Sequence, residues 1–105
     1  MSRRKLFTVT TPLGYEVVLT RNRWREIVRF KHPAIKGREQ EVRQCLQDPE
    51  VVRASVKDPE MHLYYRSWQR AHLCVVVGSG GSNERFVVTA YLTRDVKKGG
   101  ELWKK

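Results

Sequence analysis

From Val51 to Thr93 the chain reads as four runs of strand period separated by short turns, and this stretch most limits what it can fold into. Val51 to Lys57 alternates, with Val52, Ala54 and Val56 on one side and Arg53, Ser55 and Lys57 on the other. Asp58-Pro59-Glu60 makes a turn, Met61 to Trp68 is the second run, and Ala71 to Gly78 is the third. Gly78-Ser79-Gly80-Gly81-Ser82-Asn83 reads as a flexible hairpin tip before Arg85 to Thr93, the last run. There Phe86, Val88, Ala90 and Leu92 form a core face, while Thr89, Tyr91 and Thr93 point the other way. Strands in this order, joined by short turns, predict an antiparallel meander.

The first half supplies the cover. Leu6 to Thr11 and Tyr15 to Thr20 read as a hairpin turning at Pro12-Leu13-Gly14. Thr20 or Asn22 caps a first helix that runs to about His32 and stops at Pro33. A second helix, roughly 38–47, places Val42, Cys45 and Leu46 on its inner face and ends at Asp48-Pro49. The expected architecture is α+β: one domain over 1–105, two helices packed on one face of a four-stranded antiparallel meander, preceded by an N-terminal β-hairpin. The opposite sheet face is expected to be open.

Charge narrows the partners. The chain of 105 residues carries 21 Lys+Arg against 11 Asp+Glu, a net +10, which favours a polyanion. The charge is segregated, with ten basic and two acidic residues in 1–38, three and six in 39–62, and eight and three in 63–105. Ser2-Arg3-Arg4-Lys5 leads into strand alternation rather than an apolar run, so no signal peptide is expected. Leu73 to Val77 is too short to span a bilayer. Cys45 and Cys74 form no metal-type spacing and read as small core residues in a reducing, cytoplasmic setting. His62 and His72 share no metal spacing with His32, and no nucleotide-cradling glycine loop or nucleophile elbow occurs. Neither a metal nor a cofactor is expected.

Two constellations could carry chemistry. Arg21, Arg25, Arg29 and His32 fall at helical spacings, inside an arc of about 80°, with Trp24, Ile27, Val28 and Phe30 on the rest of the cylinder. Three arginines on a helix are commonly just a solvated face; a terminal histidine adds a titratable group beside a polyanion. The open sheet face gathers Arg53, Lys57, Arg66, His72, Thr89, Tyr91 and Thr93, and period 2 puts either Tyr64 or Tyr65 with them. Threonine and tyrosine also decorate solvated sheets freely. As a set, guanidinium groups, hydroxyls and an imidazole suit a phosphodiester.

The segments RNRWREIVRFKHP, QDPEVVRASVKDPEMHLYYR and FVVTAYLTRDVKKGGELW resemble the phage-associated branch of the barnase–EndoU–colicin–RelE-like ribonuclease superfamily, over roughly four fifths of the chain. The resemblance implies two helices on a curved antiparallel sheet and metal-independent RNA cleavage, in a toxin or phage-type nuclease. It implies active groups at His32, at Arg53 or Arg66, and at Thr89, Tyr91 and Thr93. The expected function is therefore an endoribonuclease acting by 2′-OH transesterification. His32 would be base or acid, and Arg53 and Arg66 would hold the phosphate. Tyr65 or Tyr91 would be the partner acid or stacking platform, and Thr89 and Thr93 would position phosphate oxygens. Arg21, Arg25, Arg29 and Lys57 would bind flanking RNA, free or on a ribosome. A non-catalytic nucleic-acid-binding module on the same fold is the alternative. An acidic inhibitor protein could cover the same basic face.

Overall fold

The computed structural model describes residues 4–80 and 84–105; Ser2-Arg3 and Gly81-Ser82-Asn83 of the expected tip lie outside the described residues. The strands are β1 (Lys5–Thr10), β2 (Glu16–Thr20), β3 (Val51–Ala54), β4 (His62–Trp68), β5 (Ala71–Ser79), β6 (Glu84–Thr93) and β7 (Glu101–Lys104). Between β2 and β3 lie α1 (Arg21–Glu26), a π-helical turn (Ile27–Lys31), a 3-10 turn (Pro33–Ile35) and α2 (Glu39–Gln47). All seven strands form one sheet in the order β1-β2-β6-β5-β4-β3-β7.

The expected four-stranded antiparallel meander with two packed helices is thus corrected to a seven-stranded mixed sheet carrying two short helices. Two non-local pairings account for the difference. The hairpin is part of the sheet, because β2 runs parallel to β6 over Glu16↔Glu84, Val17↔Arg85 and Val18↔Phe86. The basic C-terminal tail forms edge strand β7. It pairs with β3 through Val51↔Lys104, Val52↔Trp103 and Arg53↔Glu101.

The main core lies between the helical layer and one sheet face. Trp24, Ile27 and Ile35 from the first helical segment and Val42, Cys45 and Leu46 from α2 pack on Val17, Leu19, Val52, Tyr64, Leu73, Val75, Val77, Val87 and Ala90. Burying a side chain of this size contributes about 1.5–3 kcal/mol, so each apolar position anchors its element. Both cysteines are buried free thiols, and Cys45 Sγ donates to the Tyr64 carbonyl at 3.4 Å.

One bulge redirects the last long strand. Val76 faces Thr89 but Val77 faces Val87, leaving Val88 unmatched. A single extra residue reverses strand parity. Phe86 and Val88, expected on the core face, therefore turn outward, and Phe86 is 39% exposed. Gly78 permits this approach: a Cβ there would meet Val88 Cγ2 at 2.9 Å and the Phe86 ring at 3.1 Å.

The second sheet face is not left open. It carries an apolar cluster of its own, Leu63, Tyr65 and Cys74 with Val51, Val76 and Tyr91 around it, and Val96 packs onto them. Residues 94–100 cross β5, β4 and β3 on the way from β6 to β7. The polar members of this face suggested solvent; its valines and leucine require cover.

Candidate nucleic-acid interface

The first helix starts where expected, with the Thr20 side chain accepting from Arg23 N–H at 3.2 Å. Buried Trp24 and Ile27 fix its inner side, so Arg21, Arg25 and Arg29 are exposed. After Glu26 the winding loosens into a π turn, closed by the His32 N–H donating to the Ile27 carbonyl at 2.6 Å. Residues beyond Ile27 then depart from the 100° indexing of a continuous α-helix. Phe30 projects into solvent, 75% exposed, with the Arg29 guanidinium 5.6 Å from its ring.

Arg21 and Arg25 line a cleft of about 400 Å³ with Lys36, and Trp24, Val28 and Leu6 form its apolar wall; Glu39 is the one acid in the lining. Among the described residues the salt bridges engage Lys5, Arg66 and Lys105, so the three helix arginines are in none of them.

The second sheet face brings together some of the expected catalytic residues. Strand register places Arg53, Tyr65, His72, Thr89, Tyr91 and Thr93 on one side. His32 arrives from the helical segment, half-buried, its ring 5.4 Å from that of Tyr91. Lys97 approaches the same ring from the crossing segment, with Nζ 5.8 Å from the centroid. Lys57 lies beyond the end of β3, exposed, at a cleft that Lys97 also lines.

Other expected members are not available for a phosphate. Arg66 sits on the opposite face, opposite Leu73 of the main core, and its Nη1 donates to the carbonyl and carboxylate of Asp48. Arg53 donates Nη1 to the Lys97 carbonyl at 3.2 Å. Tyr65, not Tyr64, belongs to this face, but it is fully buried, and its hydroxyl accepts from Lys97 N–H at 3.1 Å. Burial, with Cys74 beside it, pushes that phenol up to about 12. Burial also raises Tyr91, whose hydroxyl bonds to Cys74, so it is the Tyr91 ring that faces His32 and Lys97. Thr93 Oγ1 is used by Asp95, accepting from its N–H and donating to its carbonyl. Thr89 Oγ1, Arg53 Nε and His72 Nδ1 are buried without a hydrogen-bond partner.

Tyr64 serves the other face. Its hydroxyl lies 2.8 Å from Thr11 Oγ1 and 2.6 Å from the Tyr15 hydroxyl, which is 2.7 Å from His62 Nδ1. Burial lowers His62, and the Arg85 guanidinium lowers it further.

Two residues were missed in sequence. Phe30 needed the π turn, and the pattern of a regular helix gives no sign of it. Lys97 needed the route of the crossing segment; Val96, an apolar residue inside an otherwise charged run, was the available clue. Among the described residues no cluster of His, Cys, Asp and Glu could hold a metal ion, and no helix is long and apolar enough to cross a membrane. No protein-family model, curated protein or solved structure matches this chain.

Proposed function

We propose that this chain binds single-stranded nucleic acid along the first helix and the π turn. One observation carries this reading: Phe30 stands 75% exposed beside the Arg29 guanidinium, at the end of a helix that also exposes Arg21 and Arg25. An exposed aromatic ring offers a base a stacking surface, and flanking guanidinium groups take the phosphates on either side. The test is fluorescence anisotropy with a labelled mixed-sequence RNA across a salt series. Phe30→Ala should weaken binding by about 1–3 kcal/mol. Arg25→Ala and Arg29→Ala should each lower the salt slope by about one unit. Unchanged affinity in all three variants rejects this surface.

The meeting of His32 and Lys97 at the Tyr91 ring favours a second reading, metal-independent RNA cleavage, with Lys97 in the place expected of Arg53 and Arg66. His32 would take the 2′-OH proton as the 2′-oxygen attacks phosphorus, and the Lys97 ammonium would stabilise the charge on the phosphorane. The 5′-oxygen would leave with a proton from imidazolium or water. Incubating the same RNA in excess EDTA tests this. Cleavage that leaves cyclic-phosphate ends, and is lost in His32→Ala while binding is kept, supports it. Intact RNA with wild-type protein, with or without ribosomes, rejects it.

A further inference from the structure

We propose that a second cleft, between the β3–β4 turn and the crossing segment, binds a phosphomonoester carrying a base-sized apolar group, that is, a mononucleotide or the phosphorylated end of a nucleic-acid chain. The cleft holds about 320 Å³ and is lined by Ser55, Val56, Lys57, Leu63, Lys97 and Lys98. That volume lies at the small end of ligand sites, which suits one nucleotide unit.

Three observations point to this chemistry. First, the three lysines come from segments 40 residues apart in sequence, and no carboxylate lines the space they share. Like charges gathered in a concavity repel unless an anion joins them. Of the acids nearby in sequence, Asp58 Oδ1 accepts from Glu60 N–H at 3.1 Å inside the turn, and none of Asp58, Glu60, Asp95 and Glu101 lines the cleft. Second, a further cation lies beneath the crossing segment. Arg53 is held at the Lys97 carbonyl, with its Nε buried and without an acceptor. Third, the wall is mixed. Val56 is 73% exposed and stands with Leu63 beside the lysines, and Ser55 adds a hydroxyl donor. Ammonium groups and a hydroxyl suit the phosphate, and the two aliphatic side chains suit the flat face of a base.

The site is independent of the helix surface proposed above, and its test separates the two. Amide chemical shifts are followed by NMR as AMP, and then inorganic phosphate, is added to the protein. Saturable shifts at 55–57 and 97–98 are expected, with 25–30 unmoved. Lys57→Ala with Lys98→Ala should weaken AMP binding about tenfold or more. Lys97→Ala is a usable third variant, because Lys97 serves the fold through its own N–H and carbonyl, which the substitution keeps. Absence of saturable shifts in the wild-type cleft overturns the proposal, and so does AMP affinity unchanged in the folded double variant. A 5′-phosphorylated oligonucleotide compared with its 5′-hydroxyl twin identifies the source. A preference lost in the double variant assigns a chain end, and AMP binding without such a preference assigns a free nucleotide.

Discussion

Gly99→Ala should detach the crossing segment from the sheet, and Gly100→Ala should not. A Cβ at Gly99 would overlap the carbonyl oxygen of Ala54, a backbone atom fixed in β3 that cannot swing away, while one at Gly100 would meet nothing within 4 Å. Relief requires the segment to lift. Three hydrogen bonds hold it: Lys97 N–H to the Tyr65 hydroxyl at 3.1 Å, Arg53 Nη1 to the Lys97 carbonyl at 3.2 Å, and Ala54 N–H to the Gly100 carbonyl at 2.8 Å. Each is worth about 1 kcal/mol net, and partial loss of Val96 packing adds about 1 kcal/mol. Some relaxation is certain to recover part of this, so the expected destabilisation is about 2–4 kcal/mol, or about 10–20 °C in melting temperature. Gly100→Ala should stay within about 0.5 kcal/mol of wild type. Urea unfolding followed by tryptophan fluorescence measures both, and Trp103 in β7 reports on the segment's far end. Equal stability of the two variants would refute the tight seating of Gly99 and the cover it gives to the second face.

Tyr64→Phe removes the hydroxyl that lies against Thr11 and Tyr15, and should cost about 1–3 kcal/mol in the same unfolding assay. His62 titrates lower in the folded chain than its ordinary value, through burial first and Arg85 second. The unfolded chain therefore binds more protons, and the stability this group contributes is present above about pH 6.5 and is lost as pH falls through the lower folded value. His62→Gln should flatten that part of the melting-temperature profile; an unchanged slope refutes the assignment. The Lys105 and Arg66 side chains lower the Asp48 carboxyl. Its contribution is present above about pH 3.9 and is lost as the carboxylate protonates below that. Asp48→Asn should remove this acid limb, and thermal melts between pH 5 and pH 2 will show whether it does.

The legible and illegible parts of this chain divide by range of interaction. Alternation marked β3 to β6, because a side chain's face is written in its neighbours two positions away. Helix starts and stops at Thr20, Pro33 and Asp48-Pro49 were likewise local, resting on a cap or a ring that cannot continue the helix. The parallel pairing of β2 with β6 joins residues nearly 70 positions apart and leaves no local mark. A four-residue edge strand such as Glu101–Lys104 has too few positions to show a period. Parity also fails at a bulge: from Thr89 onward the faces were read as they stand, while Phe86 and Val88 were inverted by one unmatched residue.

The candidate site suffered from the same division. Period 2 put Arg53 on one sheet face with Thr89, Tyr91 and Thr93, and the structure keeps that grouping. Sharing a face is only a first condition for acting on a ligand. Arg53 and Tyr65 are spent on holding residues 94–100, whose course depends on β7, and Arg66 shares neither their face nor their role. The segment that removes them from the surface brings Lys97 to the Tyr91 ring and Lys97 and Lys98 to the cleft beside Lys57. The cover over the apolar patch therefore sets exposed lysines above a half-buried arginine. Residues 94–100 thus supply Lys97 and Lys98 to this side of the sheet, where His32 meets the Tyr91 ring and Lys57 lines the cleft.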